Sequence, residues 1–513
     1  MKPRPALTIL ASLALLPSAH ADVKLPAIFG DNMVLQQGIV APIWGKADPG
    51  ENVTISVSGQ TVSTTADASG KWKLKLQPLK SGGPAVEVTV KGKNSITLHN
   101  VLIGEVWVGS GQSNMQYNLG GVLDAKNEIA SANYPTLRLF TVKPTAWSDP
   151  LDDVDGKWVE CTPQTVHGFS ATLYFFGRDL QRGIQQPVGL IHSSWGATII
   201  QSWTRWDILM TDPDTKKEVE ARIKQLDDPD WLLKNYIEET AKRKAAADKA
   251  IAAGQKPTMS LQADWLGAGY RNRPASLYNA MIHPLLGFPI RGVVWYQGEF
   301  NAGNASQYER LFPKMIEDWR AQWGQGEFPF LFVQLPNNGP TVQTAPDPAN
   351  LGSAKWAALR EAQLKTLKVP NTGMAVTIDT SNGDLHPKNK QPVGDRLARL
   401  ALSMVYGKDI PCFGPMYESM TVQGGTVALK FQHTDGGLVS TAPGGTLPGF
   451  AIAGADQKFV WGDAKIDGDT VTVSSPQVPR PVAVRYGWDN NPLISLSNKS
   501  NLPASPFRTD DWK

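Results

Sequence analysis

The sequence predicts an α/β fold, a mostly parallel sheet layered between helices, with a β-rich region at either end. Three observations carry this reading. Between about 101 and 405, short continuous apolar runs alternate with helical patterns. Before 100 and after 406, apolar and polar residues alternate at period two between Gly, Pro and Asp turns. A Lys-, Glu- and Ala-rich helical stretch interrupts the α/β part at 213–265. Buried apolar strands alternating with helices indicate a parallel sheet covered on both faces. Period-two segments broken by turn residues indicate small sandwiches.

Taken in order, the chain opens on Met1-Lys2-Pro3-Arg4, an apolar run over 6–16 and Ala19-His20-Ala21. That is the pattern of a signal peptide spanning 1–21, cleaved after Ala21. The run is too short for an anchoring transmembrane helix, and no later stretch is long and apolar enough to span. The expectation is an exported protein, periplasmic or secreted, with no membrane insertion after cleavage. Residues 22–100 form the first β-sandwich, with strands at 40–45, 52–57, 71–76 and 86–90. The α/β region follows in two parts, 101–212 and 266–405. Its strands are expected at 104–109, 187–191, 293–296, 330–335 and 375–378, with helices at 307–323, 356–366 and 395–402. The insertion at 213–265 carries Val219, Ile223 and Leu226 at helical spacing. It reads either as a lid or wall of the cleft or as a solvated packing arm. Residues 406–513 return to β texture, with turns at Gly436-Gly437 and Asp467-Gly468.

Composition narrows the function classes. The formal charge is +3, and Lys2 and Arg4 leave with the leader, so the remaining chain is close to neutral. No Lys/Arg run resembles a phosphate-binding stripe, which argues against nucleic acid as a partner. The 17 Trp read either as core or as stacking platforms for sugar rings; Trp203, Trp206 and Trp265 join Trp195 and Trp295 as candidates for a cleft wall. Cys161 and Cys412 are the only cysteines; they form one disulfide in an oxidising compartment or remain two unpaired thiols. Histidines 99, 167, 192, 283, 386 and 433 show no metal-ligand spacing, and no Gly-rich phosphate loop is present. No cofactor is predicted. Nothing in the sequence fixes an oligomeric state.

The chemistry concentrates in two segments. Gly111-Gln112-Ser113-Asn114 follows the apolar run 104–109, which places Ser113 beyond a core strand, where α/β folds put their chemistry. Met115 stands where a Gly-x-Ser-x-Gly elbow needs its second glycine, so this is not that elbow. Asp384-Leu385-His386 supplies an imidazole and a carboxylate on a loop beyond another strand. Together they offer a nucleophile, a base and a group to orient the base.

Four ordered segments carry a family resemblance: Gly-Gln-Ser-Asn-Met at 111–115, Ser-Ser-Trp-Gly-Ala-Thr at 193–198, Trp-Tyr-Gln-Gly-Glu at 295–299 and Asp-Leu-His-Pro-Lys-Asn-Lys at 384–390. With the opening Phe29-Gly30-Asp31-Asn32-Met33 and the closing Leu502-Pro503-Ala504-Ser505-Pro506-Phe507, the chain resembles the sialate O-acetylesterase family of the SGNH (GDSL-like) hydrolases. The likeness covers nearly everything but 214–253. It implies a three-layer α/β/α domain in which Ser113 is the nucleophile and His386 the base. It further implies an oxyanion hole of the Ser113 and Gly196 N–H groups with the Gln297 amide. Gln112, Asn114, Trp195, Trp295 and Glu299 are the implied substrate contacts. The superfamily's usual Asp-x-x-His spacing fails here because Gly383 holds the Asp place. The orienter is then Asp384, Asp379 or a backbone carbonyl. The implied substrate is an acetylated oligosaccharide or polysaccharide, carrying either sialic acid or a plant chain such as xylan or xyloglucan.

Two rival readings remain. A glycosidase would pair Glu299 with Glu105 or Asp384 across a scissile bond. A non-catalytic carbohydrate-binding protein would use the β regions and leave the sheet domain inert.

Overall fold

The computed structural model describes residues 22–257, 260–263, 265–267, 269–339 and 354–512. The predicted leader lies outside the described residues. At the N-terminus, Lys71–Leu76 buries Trp72, Leu74 and Leu76 and turns its lysines to solvent. It pairs antiparallel with Ala41–Lys46, while Asn52–Val57 pairs with Gln60–Thr65 and Val86–Lys91. These are the two layers that the period-two pattern predicts.

The strand β1 (Ser95–Gly111) begins in this sandwich, antiparallel to Val86–Lys91 with Val88 opposite Leu98. It then runs on as the middle of the central sheet. The boundary expected at 100 therefore falls inside one continuous strand. Both halves of β1 satisfy a strand pattern, alternating first and fully buried later, so nothing in its composition marks the crossing.

The central sheet continues with β2 (Tyr134–Thr141), β3 (Trp158–Cys161), β4 (Val188–Ser194), β5 (Gly292–Tyr296), β6 (Phe330–Gln334) and β7 (Thr372–Val376). Its order is β7-β6-β5-β1-β4-β2-β3. The pairs are parallel except that β3 runs against β2. Around it lie α1 (Ala171–Ile184), α2 (Pro213–Leu226), α3 (Pro229–Ala252), α4 (Ala305–Trp323), α5 (Lys355–Lys365) and α6 (Gln391–Met404). On one face α1 covers the sheet, with Phe176 edge-on to Trp107 at 5.1 Å. Trp295 pairs with Ser110, out of phase with Trp107, and so meets Phe312 and Trp319 of α4 on the opposite face. This is the three-layer arrangement the sequence predicts. Strands β1 and β5 are neighbours although the chain visits β2, β3 and β4 between them. The reversal of direction lies beside β1, where open α/β sheets form their ligand crevice.

In the insertion, α2 and α3 each begin with Pro behind an aspartate cap. Asp212 accepts from Thr215 N at 3.0 Å and receives both arms of Arg310 from α4, at 2.7 and 3.1 Å. The guanidinium holds the Asp212 carboxyl well below its usual range. The insertion is thus clamped to the sheet domain at its root.

After α6 a second core forms around Val427, Leu429, Val471, Val473 and Tyr486. It is built from Met416–Gln423, Thr426–Gln432, Asp463–Asp467 and Thr470–Ser474 with a second sheet around Phe450–Ala453. Arg360 of α5 joins it to the central layer. This guanidinium, with no exposed surface, donates to the carbonyls of Leu335 (2.9 Å), Pro336 (2.7 Å), Asp489 (2.8 Å) and Asn490 (3.0 Å). Burial lowers its pKa to about 9. Cys161, buried on β3, and the half-buried Cys412 are free thiols, so the disulfide alternative falls. Among the described residues no helix is long and apolar enough to cross a membrane.

Replacing Arg360 by Met removes the side-chain donor of the Leu335 and Asp489 carbonyls and one of the two donors of the Pro336 and Asn490 carbonyls, which keep Trp356 Nε1 and Asn338 N. The variant is expected to lose about 3 kcal/mol or more of stability, measured by urea unfolding; an unchanged midpoint would show that Arg360 does not join the two layers.

Candidate active site

Three strands end side by side. In the sheet register Gly111 of β1 lies between Ser194 of β4 and Tyr296 of β5, so the segments after each strand start from one place on the C-terminal rim. Gly111 turns out of β1 at φ 132°, and any side chain there would collide with the Tyr296 carbonyl oxygen. Only glycine tolerates both conditions. The next residue, Gln112, donates its N–H to that carbonyl at 2.9 Å. Ser113 then opens the single helical turn Ser113–Gln116, whose first N–H groups have no acceptor within the turn.

His386 arrives on the loop after β7, and its Nε2 lies 2.8 Å from Ser113 Oγ. Gly196 follows β4. A β-carbon on it would stand 3.2 Å from Ser113 Cβ, so glycine permits the close approach. Its N–H donates to Gln116 Oε1 at 2.7 Å. The donor is therefore already aimed at an oxygen beside the serine. Directly after it, Ala197 takes a left-handed φ of 57°, a costly conformation for a residue with a β-carbon. Asn272 holds it there, accepting from Ile199 N at 3.0 Å and donating to Ala197 O at 2.9 Å. Ser113, Gln116, Tyr117, His192, Ser194 and His386 line one cavity of about 580 Å³.

Beneath the pair lies a buried polar network. Asn114 has no exposed surface; it donates to Glu299 Oε1 at 2.6 Å and to the Leu385 carbonyl at 3.0 Å. Its Oδ1 accepts from Lys390 Nζ, which also sits 5.2 Å from the centre of the Tyr117 ring and 5.4 Å from that of Tyr296. Tyr117 in turn stacks on His386, with ring centres 6.3 Å apart. Burial brings Lys390 down to about 7, with Glu299 opposing the shift. Burial raises Glu299, with the Asn114 bond opposing. Partial burial and then the Lys390 charge lower His386 below its ordinary value.

The structure brings Ser113, His386 and Gly196 together, as the sequence expects. Asp384 lies on the same loop, but its carboxylate is exposed and makes no hydrogen bond among the described residues; only its carbonyl is held, by Ser381. Asp379 is taken up by Arg396, at 2.6 and 2.7 Å. Gln297 has no exposed surface, and its amide nitrogen faces Thr198 O at 3.0 Å and Asn301 Oδ1 at 2.8 Å. The same nitrogen lies 3.2 Å from the Gln112 side-chain amide, and no hydrogen bond joins Gln297 to Ser113 among the described residues. Of the expected substrate contacts, Gln112, Asn114, Trp295 and Glu299 are buried and only Trp195 is partly exposed. Trp295 lies mid-strand under α4, and the others form the scaffold below the serine. Trp203 is core as well, while Trp206 and Trp265 are exposed. Glu105, the glycosidase partner for Glu299, is ion-paired to Arg291 at 2.6 Å. Six residues of extended β1 separate it from Gly111, about 20 Å. The sequence reading missed Gln116 and Lys390. The available signal for Lys390 was its place in the fourth matching segment, four residues beyond His386.

A mostly parallel α/β sheet with a serine–histidine contact and an aimed N–H at its C-terminal rim has the layout of an esterase site. Comparison with known proteins agrees. Residues 259–403 match the family model described as carbohydrate esterase, sialic acid-specific acetylesterase. The sialate O-acetylesterase of Mus musculus is 31% identical, over 96% of this chain and 95% of the mouse protein. That of Homo sapiens is 31% identical, over 96% and 93%. The crystal structure of a carbohydrate acetylesterase from Xanthomonas citri superposes with a TM-score of 0.78 at 35% identity, covering 96% of this chain and all of that one. The chain belongs to the sialate O-acetylesterase family, and its fold is that of a carbohydrate acetylesterase.

Lys390 is protonated where His386 titrates, so its charge holds the imidazole neutral to lower pH. In Lys390→Met the His386 pKa is expected to rise, moving the acidic limb of kcat/KM to higher pH. A pH–rate profile beside wild type checks this, and an unmoved limb would detach Lys390 from the base.

Proposed function

We propose that this chain is an exported, serine-dependent esterase that removes acetyl groups from O-acetylated sugars through an acetyl-enzyme. The observation that carries the reading is the 2.8 Å contact between His386 Nε2 and Ser113 Oγ, with the Gly196 N–H directed beside it. His386 takes the Ser113 proton as Oγ attacks the ester carbonyl. The carbonyl oxygen replaces Gln116 Oε1 on Gly196 N–H and shares the Ser113 N–H. His386 then gives that proton to the sugar oxygen as its bond to the acetyl carbon breaks, releasing the sugar hydroxyl, and activates the water that frees acetate. Preorganised donors at the developing oxyanion typically contribute about 3 kcal/mol each.

For the orienter we retain Asp384. Both Asp379 oxygens are already engaged by Arg396, and catalytic hydrogen bonds commonly tighten only when substrate is bound. Membership in a family of carbohydrate esterases supports an acetylated sugar as the substrate class. The mammalian relatives' name favours sialic acid, and the Xanthomonas relative's description favours carbohydrate esters more broadly.

Acetate release from acetylated xylan, acetylated xyloglucan and O-acetylated sialic acid tests the reading. Ser113→Ala and His386→Ala are each expected to lose turnover by a factor on the order of 10⁴ or more. Asp384→Asn is expected to lose about a thousandfold or more; turnover near wild type would leave a Ser–His dyad instead. Since burial and Lys390 lower His386, and the neutral imidazole is the competent base, kcat/KM should rise through a pKa below the ordinary value of about 6.5. A limb above that value would contradict the assignment of His386 as base.

A further inference from the structure

A second cavity, of about 420 Å³, is lined by α2 of the insertion and by Ile199 and Phe300, from the loops that follow β4 and β5. One wall is α2, presenting Glu218, Arg222 and Gln225; the other is Tyr270, with Ile199 and Phe300 at the mouth. Phe300 stands out among these. It is 55% exposed although large and apolar, so its ring presents an apolar face to solvent at the cavity. Its N–H lies 3.3 Å from the side-chain amide of Gln112, the residue before the nucleophile. Ile199 closes the loop that starts at Gly196. The wall residue Asn272 is also the group that pins Ala197 and Ile199. The second cavity therefore shares its frame with the oxyanion donor.

The lining suits a neutral sugar. The Arg222 guanidinium is already spread over the rings of Trp231 and Tyr270, at 5.4 and 5.7 Å. Glu218 accepts from Gln307 at 2.7 Å. One carboxylate against one guanidinium gives no net pull on an anionic ligand. Aromatic rings with a few placed polar groups are the usual make-up of a small-ligand pocket. A pyranose offers matching chemistry, an apolar C–H face for the rings and hydroxyls for Gln225 and Glu218.

We propose that this cavity is a second sugar subsite, which binds a neutral pyranose of the same oligosaccharide chain that presents its acetyl ester to Ser113. The inference rests on the esterase reading and specifies its substrate as an acetylated neutral chain rather than a single acidic sugar. Binding energy from a remote sugar helps the chemical step when it positions the reacting group. The wall shared through Asn272 gives that coupling a route to Gly196.

The test uses Phe300→Ala, at an exposed position where truncation leaves the core intact, and Phe300→Trp as the conservative partner. Kinetics compare acetylated xylo-oligosaccharides, O-acetylated sialic acid and p-nitrophenyl acetate. The expected result is that Phe300→Ala lowers the ratio of kcat/KM on the oligosaccharide to that on p-nitrophenyl acetate about tenfold, with recovery in Phe300→Trp. An unchanged ratio overturns the subsite. An equal loss on sialic acid overturns its assignment to a neutral chain. Calorimetry with xylo-oligosaccharide is run in parallel on Ser113→Ala with and without Phe300→Ala. Binding that requires Phe300 supports the subsite, and binding indifferent to Phe300, or none, overturns it. A wild type inert on every ester would refute the esterase reading, while the calorimetric arm would still decide the cavity.

Discussion

At Gly111 the chain leaves the sheet against the carbonyl of Tyr296, closer than any side chain permits. Much of the site's geometry follows from that approach. Because Gly111 lies level with Ser194 and Tyr296, the three segments after β1, β4 and β5 leave the rim together. Parallel strands put all their C-terminal ends on one side, so one register delivers a serine, a glycine N–H and a supporting network to a single place. His386 comes from the edge strand β7 and must be steered inward by its loop.

That steering is the task of the buried network. Asn114 lies next to the nucleophile, yet one of its bonds goes to the carbonyl of Leu385, next to the base. A single side chain thus fixes the spacing between the two partners. Lys390 and Glu299 supply opposite charges on either side of this amide. Isolated buried charges are costly, and these two are made tolerable by Asn114 and by the faces of Tyr117 and Tyr296. The same ammonium acts on His386 through space, so the scaffold also sets the condition of the base.

The outer parts of the chain are tied to this frame by shared core packing and by specific polar contacts. The N-terminal sandwich continues directly into β1. The insertion is tied down where Arg310 grips Asp212, which leaves α2 fixed as a wall beside the cleft. The C-terminal β region is held by Arg360 together with the Arg508–Glu361 pair and the Gln334–Ser505 contact. A guanidinium suits that junction because its planar fork satisfies several carbonyls at once.

The layers, the sandwiches, the helical insertion and the Ser113–His386 pairing were legible in the sequence, because each rests on periodicity or on motif residues that the family shares. The boundary at 100 was not legible, since β1 satisfies a strand pattern on both sides of it. Motif membership also did not distinguish a residue that touches substrate from one that supports it. Gln112, Asn114, Gln297 and Glu299 have the polarity expected of substrate contacts, yet the fold turns them under the serine, where they hydrogen-bond to one another and to the loops. Trp295, aromatic and the first residue of its motif, is core because its phase on β5 points it at α4. Period and residue type are local properties and determine which segments become strands, helices and turns. Which face of a strand meets a helix, which carboxylate is already engaged by an arginine, and which exposed ring borders the cleft depend on distant segments meeting, and only the tertiary structure decides them.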